Sequence, residues 1–497
     1  MGRFVISFDT ADEEVRHREA PGLLHTQGFS TDIYFPRLGI GVVEDEPERL
    51  EAFRGRCAAQ QRPMQYFPEL TYYAINAGAD RDGGASPGAG EFTWGLEAVQ
   101  IRRAVQTGVA GAGVRVAVLD TGFDASHPDF ADRSVVVESF IPGQGPQDVH
   151  GHGTHCIGTA CGPWHPAAGA AQSPGYGVAS EAEIYSAKVL GDDGAGSDTS
   201  ILAGIDWALQ NDCQVISMSL GADVPQVHPP YVTAGRRALE QGAVMIAAAG
   251  NNAHRSAGDH GFVGAPANSP YVMAVAAVDE QLRIANFSAR SLPHEGGEID
   301  IAAPGVEIYS AWPTPQHYQS ISGTSMAAPH VSGIAAVIAG ASGLRGQELR
   351  DALISAAVPI QGAAAEDVGA GLAAVPANLV SESPTTGGGM AGAGVPGTGT
   401  AEAGTAEAGT AEPQHWVITV DDEHLSHIDD VVAQLQEAGL VVEKVLRSLG
   451  QVTGYTEGAS VQSDEVSGTH RLSAVSGVAS IDGAQRHSVA PPDAEVQ

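Results

Sequence analysis

Two runs of small apolar residues, each ending in a polar side chain, constrain this chain most. Residues 114–122 read Val-Arg-Val-Ala-Val-Leu-Asp-Thr-Gly, and residues 242–252 read Gly-Ala-Val-Met-Ile-Ala-Ala-Ala-Gly-Asn-Asn. Neither run alternates apolar with polar residues. A strand without alternation is buried on both faces, which is the environment of a parallel sheet covered by helices on each side. Asp120 and Asn251 then lie at the carboxyl ends of two such strands. Ligands of open α/β sheets bind along that edge.

Two further segments supply reactive groups. Residues 148–159 read Asp-Val-His-Gly-His-Gly-Thr-His-Cys-Ile-Gly-Thr. Glycines on both sides of His152 leave its ring open, and the small residues beyond it suit a buried helix. Residues 319–330 read Gln-Ser-Ile-Ser-Gly-Thr-Ser-Met-Ala-Ala-Pro-His. Gly323-Thr324-Ser325 reads as a tight turn entering a small-residue helix from Met326 to about Gly340. A serine at a helix N-terminus can be an ordinary cap. It is also where free N–H groups and the helix dipole favour an anion, such as the oxyanion formed when a hydroxyl attacks a carbonyl.

Asp120, His152 and Ser325 occur in that order, with Asn251 in Ala-Ala-Gly-Asn. On these motifs the chain resembles the subtilisin-like serine peptidases, or subtilases, over about residues 93–380. The order of the three residues is the one known for subtilisin. The resemblance implies an α/β catalytic domain with a mostly parallel sheet. It also implies an endopeptidase that forms an acyl-enzyme. Ser325 is then the nucleophile, His152 the general base and Asp120 its orienting partner, while Asn251 and the Ser325 backbone N–H form the oxyanion hole. Thr324 is a candidate to assist there. His150 is expected to be a solvated loop residue, His155 a packed helix residue, and Asp124 and Asp129 turn residues. Asn252 rivals Asn251 by type but does not follow Ala-Ala-Gly.

The resemblance extends to substrate binding. Residues 191–196 (Gly-Asp-Asp-Gly-Ala-Gly, with Gly194 and Gly196) and Ser219-Leu220-Gly221 resemble the segments that clasp an extended peptide between two strands. Such pairing gains main-chain hydrogen bonds whatever the substrate sequence. Ala248-Ala249-Gly250 and Gly264-Ala265-Pro266 resemble the walls of the primary pocket. These are small and uncharged, so a large apolar or aromatic residue is expected before the scissile bond. Asp198 stands where a more distal pocket is expected, and would admit a polar or basic side chain.

The net charge of −34 argues against nucleic acid, whose phosphates attract cations, and against an anionic membrane surface. No stretch approaches the roughly 18 apolar residues of a spanning helix, and the first residues do not read as a secretory signal. A cytoplasmic location is the default expectation. Four cysteines (Cys57, Cys156, Cys161 and Cys213) are too few for a disulfide framework in 497 residues. A Cys156–Cys161 bridge is conceivable. Cys156, four residues after His152, offers a route for mercurials to crowd the base.

Five segments are expected. Residues 1–76 show a β-α-β-β-α-β order that suits a ferredoxin-like fold. The strands are expected at Arg3–Phe8, within Thr31–Glu44 and at Gln65–Ile75, and the helices at Asp12–His25 and Pro47–Gln61. In order and position this segment resembles a subtilase propeptide. Residues 77–92 read as a linker, with self-processing expected between about Tyr73 and Glu91. Residues 93–380 form the catalytic domain. Residues 381–413 are a Gly-, Ala-, Thr- and Glu-rich tether with a repeated Thr-Ala-Glu-Ala-Gly. Residues 414–490 repeat the β-α-β-β-α-β order as a second ferredoxin-like domain.

The expected partners are polypeptide substrates, with the N-terminal small domain as an intramolecular inhibitor; the C-terminal one reads either as a second such inhibitor or as a generic ferredoxin-like interaction domain. No cofactor is required for the chemistry. A structural calcium ion is left open: Asp129 matches one position that often serves in the family, but residues 163–177 lack the Asn-rich loop that supplies further oxygens. The alternatives to a general endopeptidase are a dedicated processing peptidase with one partner, and a protease-like binding scaffold without turnover.

Overall fold

The computed structural model describes residues 2–8, 13–29, 33–60, 62, 64–75, 90–167, 173–292, 297–379, 414–421, 424, 427–446, 451–456, 472 and 475–484. Most of the 77–92 linker, the 381–413 tether and most of the expected helix at 463–475 lie outside them. Residues 1–383 form one compact unit and residues 384–497 a second.

The first unit opens with a four-stranded antiparallel sheet made of β1 (Gly2–Ser7), β2 (Tyr34–Phe35), β3 (Ile40–Asp45) and β4 (Gln65–Pro68), in the spatial order β2-β3-β1-β4. A π-helical turn, Val15–Glu19, runs into α1 (Ala20–Thr26), and α2 (Pro47–Ala59) precedes β4. Phe4 and Ile6 pack with Leu24, Leu50 and Phe53 of these helices, whereas Val5, between them, joins Phe35, Leu38, Ile40 and Val42 in a different apolar cluster. The period-two alternation of β1 thus divides its side chains between two cores.

The strand expected over Gln65–Ile75 breaks in two. After β4 the chain passes Glu69 and Leu70 and enters β5 (Thr71–Ala74), which belongs to a separate three-stranded sheet. Its neighbours lie in the α/β body, and local sequence carries no record of partners so distant.

That body follows α3 (Trp94–Ala98) and α4 (Arg102–Thr107). It contains β6 (Arg115–Asp120), β7 (Val135–Ser139), α5 (His152–Cys161), β8 (Glu183–Lys188), β9 (Ala195–Ser197), α6 (Asp198–Gln210), β10 (Val215–Met218), β11 (Leu220–Gly221), α7 (Pro229–Glu240), β12 (Val244–Ala248), β13 (Val272–Val278) and β14 (Ile301–Pro304). Beyond these come β15 (Ile308–Ala311) and β16 (Tyr318–Ile321), then α8 (Thr324–Ser342), α9 (Gly346–Ala356) and α10 (Ala365–Val368). Seven strands form one parallel sheet in the order β14-β13-β12-β10-β6-β8-β7.

Both faces of this sheet are buried, which explains the unbroken apolar runs. Val116, Val118, Val244 and Ile246 face the cluster that holds residues of α5 and α8. Ala117, Leu119, Met245 and Ala247 face the cluster of α6 and α7. By the same alternation Asp120 follows Val116 and Val118 onto the α5/α8 face. α8 alone meets the length and hydropathy of a membrane span among the described residues, but 89% of its apolar window is buried inside the protein, as the central helix of a two-layered core requires. The expectation of no such stretch is corrected to that extent.

The second unit pairs β17 (Gln414–Val420), β18 (Val441–Leu446), β19 (Gln451–Thr456) and β20 (Val478–Ala484) antiparallel, in the order β18-β19-β17-β20. Ile418, Val420 and Val452 pack with Ile428, Val431 and Leu435 of α11 (Ile428–Glu437). Numbered within each sheet, this is the same second-third-first-fourth order as that of β1–β4.

Candidate active site

α5 and α8 bring their N-terminal residues to the carboxyl edge of the sheet, on the face where Asp120 points. His152 is the first residue of α5 and Ser325 the second of α8. The His152 Nδ1–H donates to Asp120 Oδ1 at 2.7 Å, which leaves Nε2 as the basic nitrogen. Burial opposes a charge on this ring, but the Asp120 carboxylate, with Cys156 behind it, outweighs burial and holds the His152 pKa well above its ordinary value. Asp120 Oδ1 also accepts the Thr121 N–H at 2.7 Å.

Asp148, to which sequence reading assigned no role, organises the loop before α5. Its Oδ1 accepts from Thr121 Oγ1, the His150 N–H and the Gly151 N–H at 2.9, 3.1 and 2.8 Å. Its Oδ2 accepts from the Thr154 N–H and hydroxyl at 2.8 and 2.7 Å. One carboxylate therefore ties the turn after β6 to the first turn of α5, and so fixes Asp120 against His152. Gly151 caps α5 with φ +101°, and a Cβ there would come within 2.4 Å of the Trp312 ring. Only glycine meets both demands.

Lys188 is the other unassigned group. It is fully buried, donates to the Thr121 carbonyl at 2.6 Å, and lies 3.0 Å from Asp192. It links the turn after Asp120 to residues 191–196.

Asn251 lies just past the end of β12. Its Oδ1 accepts from the Thr324 N–H at 2.9 Å and the Thr324 hydroxyl at 2.8 Å, which turns its Nδ2 outward. That Nδ2 donates to the carbonyl oxygen of Ile75 at 2.9 Å. The Ser325 Oγ lies 2.7 Å from the same oxygen and 3.0 Å from the Ser219 carbonyl. His152 Nε2 has no hydrogen-bond partner among the described residues, so the Ser325 proton is directed to a carbonyl rather than to the ring. A Cβ on Gly323 would come within 2.9 Å of the Ile75 oxygen and 3.0 Å of Asn251 Nδ2, so glycine is needed for this approach.

The segment leading to Ile75 is clasped on both sides. Thr71, Tyr72 and Tyr73 pair with Ser197, Gly196 and Ala195, and the Ala74 N–H donates to the Gly194 carbonyl at 2.9 Å. On the other side Ala74 pairs with Leu220 and Tyr73 with Gly221. The Ser219 hydroxyl donates to the Ser325 carbonyl at 2.7 Å, joining this wall to α8. Ile75 Cδ1 lies 3.3 Å from where a Cβ on Gly221 would stand. The Gly264 N–H donates to the Ala249 carbonyl at 3.0 Å, and the Gly250 N–H to Thr324 Oγ1 at 3.2 Å, so those two expected pocket segments adjoin the turn that carries Ser325. With the cleft filled, His152 and Ser325 are both 0% exposed.

Polar contacts also hold the N-terminal sheet against the body. The Glu69 carboxylate accepts the Thr199 N–H at 3.1 Å at the N-terminus of α6, and Arg3 Nε lies 3.0 Å from Glu69. An anion at a helix start is favoured by the free N–H groups and the dipole.

Several neighbours differ from expectation. His150 is half-buried, with its ring 6.2 Å from that of His152, and burial followed by the His152 charge lowers its pKa. It lines the cleft because the Asp148 carboxylate curls the loop inward. Asp129 is more than a turn residue. Its Oδ2 accepts the Tyr176 and Tyr318 hydroxyls at 2.6 and 2.9 Å, and its Oδ1 accepts the Ala167 N–H at 2.7 Å. These three donors tie the loop at Asp129 to the segments that carry Ala167, Tyr176 and Tyr318. Asp124 accepts from Ser126 and Thr314 as a loop residue. His155 is packed and donates to the Ile308 carbonyl at 2.9 Å. Asn252 is held by Phe262 and Asp223. Cys156 and Cys161 are free thiols, so the conceivable bridge is absent. Phe92, assigned to the linker, is buried and bridges to Gly175.

The model of the Subtilase family matches residues 111–390. M-protease of Shouchella clausii (strain KSM-K16) is 39% identical over 306 residues, covering 61% of this chain and 70% of that protein. Subtilisin Savinase of Lederbergia lenta is 40% identical over 247 residues, covering 49% of this chain and 83% of its own. Subtilisin E of Bacillus subtilis (strain 168) is 40% identical over 248 residues, covering 49% and 60% respectively.

Proposed function

The chain belongs to the subtilase family and is a subtilisin-like serine endopeptidase; from that premise we propose that Asp120, His152 and Ser325 are its catalytic triad and that its first substrate is its own peptide bond after Ile75. The observation that carries this reading is the Ile75 carbonyl, whose oxygen accepts from Asn251 Nδ2 at 2.9 Å with the Ser325 Oγ 2.7 Å away.

The chemistry follows from the geometry. A serine hydroxyl is a weak nucleophile until a base removes its proton. His152 Nε2 is the free basic nitrogen for that task, and Asp120 holds the tautomer and stabilises the imidazolium. As Ser325 Oγ bonds to the carbonyl carbon, the carbonyl oxygen takes up negative charge beside Asn251 Nδ2 and the Ser325 N–H. Collapse of that intermediate breaks the C–N bond, and His152 returns its proton to the leaving amine. Water then hydrolyses the acyl-enzyme through the same base. No cofactor enters any step.

The clasped 71–75 segment supports an extended main chain as the general recognition element. Ile75 supports a preference for a large apolar residue before the scissile bond, and an Arg- or Lys-dominated cleavage profile would reject it. The N-terminal module then acts as an intramolecular inhibitor, held by Glu69, Arg3 and the β1–β3 face. Labelling by a fluorophosphonate probe tests the nucleophile: signal that persists in Ser325→Ala rejects the assignment.

We also propose that the C-terminal module regulates activity. Its support is the strand order it shares with the N-terminal sheet. If a chain lacking residues 400–497 has unchanged activity and latency, this role is rejected.

A further inference from the structure

The fourth residue before the bond after Ile75 is Tyr72, and its surroundings differ in character from a plain apolar pocket. Its neighbour Tyr73 is 55% exposed, whereas Tyr72 is 0% exposed. The Tyr72 ring meets the Tyr231 ring edge-on, with centroids 5.6 Å apart. It shares an apolar cluster with Ile201, Leu202 and Ile205 of α6. Beside it stands Asp198, buried at the first position of α6.

The polar atoms here are only partly matched. Asp198 Oδ2 accepts from His228 Nε2 at 3.1 Å and from the Leu70 N–H at 2.7 Å. Asp198 Oδ1 and the Tyr72 and Tyr231 hydroxyls are buried together; the Tyr72 hydroxyl has both Asp198 and Tyr231 as hydrogen-bonding neighbours, although no bond among the three closes to full distance. A buried charged acceptor therefore keeps one oxygen for a donor, and two phenols are its neighbours. Burial first, and the Asp198 charge next, push the Tyr72 hydroxyl well above its ordinary pKa, so it is a neutral donor.

We propose that Asp198, backed by His228 and Tyr231, forms a phenol-reading pocket that selects tyrosine four residues before the scissile bond of protein substrates. This deepens the reading of Ile75 as the residue before that bond and rests on it. When the N-terminal module leaves, the Leu70 N–H and Tyr72 leave with it, and the pocket presents its acceptor to the next peptide. Phenylalanine fills the aromatic part but leaves the buried carboxylate oxygen without a donor, a loss that buried hydrogen-bonding sites penalise heavily. An arginine in this pocket would bring five N–H donors to one open carboxylate oxygen and leave the others buried without acceptors.

The test uses the processed wild-type enzyme and peptides Xaa-Tyr-Ala-Ile-reporter, with Xaa as Tyr, Phe, 4-fluorophenylalanine or Arg. We expect kcat/KM for Tyr to exceed that for Phe and 4-fluorophenylalanine by roughly 10- to 100-fold. We expect that ratio to fall toward one in Asp198→Ala. Equal rates for Tyr and Phe, or a preference for Arg, overturn the proposal while cleavage after Ile leaves the parent reading intact. A ratio that survives in Asp198→Ala removes Asp198 from the role. The fluorinated substrate decides the matter in the wild type should that variant not fold. If the enzyme labels with fluorophosphonate but cuts none of the peptides after Ile, the parent reading fails and this one with it.

Discussion

Asn251 Nδ2 and the carbonyl oxygen of Ile75 are 2.9 Å apart, although 176 residues separate them in the chain. The donor is aimed by Thr324, whose N–H and hydroxyl both hold Asn251 Oδ1. The acceptor is aimed by strand pairing on both sides of β5.

Replacing Asn251 with leucine should therefore lower kcat by about 10²–10³, or about 2.7–4 kcal/mol, with little change in KM; this magnitude comes from the same family. Thr324→Val should lower kcat less, because it removes one of two donors to Asn251 Oδ1. Steady-state kinetics on a peptide ending in Ile before the reporter checks both. A rise in KM at constant kcat would place Asn251 in ground-state binding instead.

The proposed triad residues could be brought together from sequence because each stands at a terminus of its own element: Asp120 closes β6, while His152 and Ser325 open α5 and α8. Val116 and Val118 point one way, so Asp120 does too, and α5 and α8 begin on that same side. The rest depends on contacts between distant segments. The break of 65–75 into β4 and β5 follows from partners at 194–197 and 220–221, which no local pattern announces. Asp148 stood in plain view in the histidine motif, but its five hydrogen bonds exist only once the loop has curled. Asp129 read as a turn residue because the Tyr176 and Tyr318 hydroxyls that it accepts come from 47 and 189 residues away.

Glu69 should control how tightly the N-terminal module holds. Glu69→Gln removes the anion from the start of α6 and the partner of Arg3. Arg3 is half-exposed, which discounts its share of the interaction. We expect the lag before activity appears, after processing of the full chain, to shorten about threefold to tenfold. An unchanged lag would mean that β5 and the apolar face carry the inhibition without it.

Stability should fall on mild acidification. Burial holds His155 at a pKa of about 3 and His330 at about 4, below the ordinary 6.5. Their folded pKa values are depressed, so the unfolded chain binds more protons below pH 6.5. Their contribution is full above that pH and is lost as pH falls through about 4 and then about 3. His152 has the opposite sign: its raised pKa adds stability below 6.5 that is lost as pH rises through the folded value. In Ser325→Ala, which cannot digest itself, Tm should drop between pH 6.5 and 4, and less steeply in a chain also carrying His155→Gln. Identical slopes would exclude His155 as a source.

Cys156 should make the enzyme sensitive to mercury but not to alkylation. Its Sγ is 3.8 Å from His152 Nδ1, and the ligand atoms of Asp120, His152 and Cys156 lie within 4.8 Å of one another. Burial pushes the thiol up to about 11, with His152 opposing, so little thiolate exists near neutral pH. Mercuric chloride should inhibit the wild type and spare Cys156→Ala, while iodoacetamide at pH 7.5 leaves the wild type active. Equal mercury inhibition of both would point to another site.

Intact mass and N-terminal sequencing of the full chain beside Ser325→Ala tests most directly whether Ser325 cuts its own chain after Ile75. The wild type should separate into two polypeptides, the larger beginning at Asn76, while Ser325→Ala keeps its full-length mass. A wild type that stays uncut, a cut elsewhere than after Ile75, or the same cut in Ser325→Ala would contradict it.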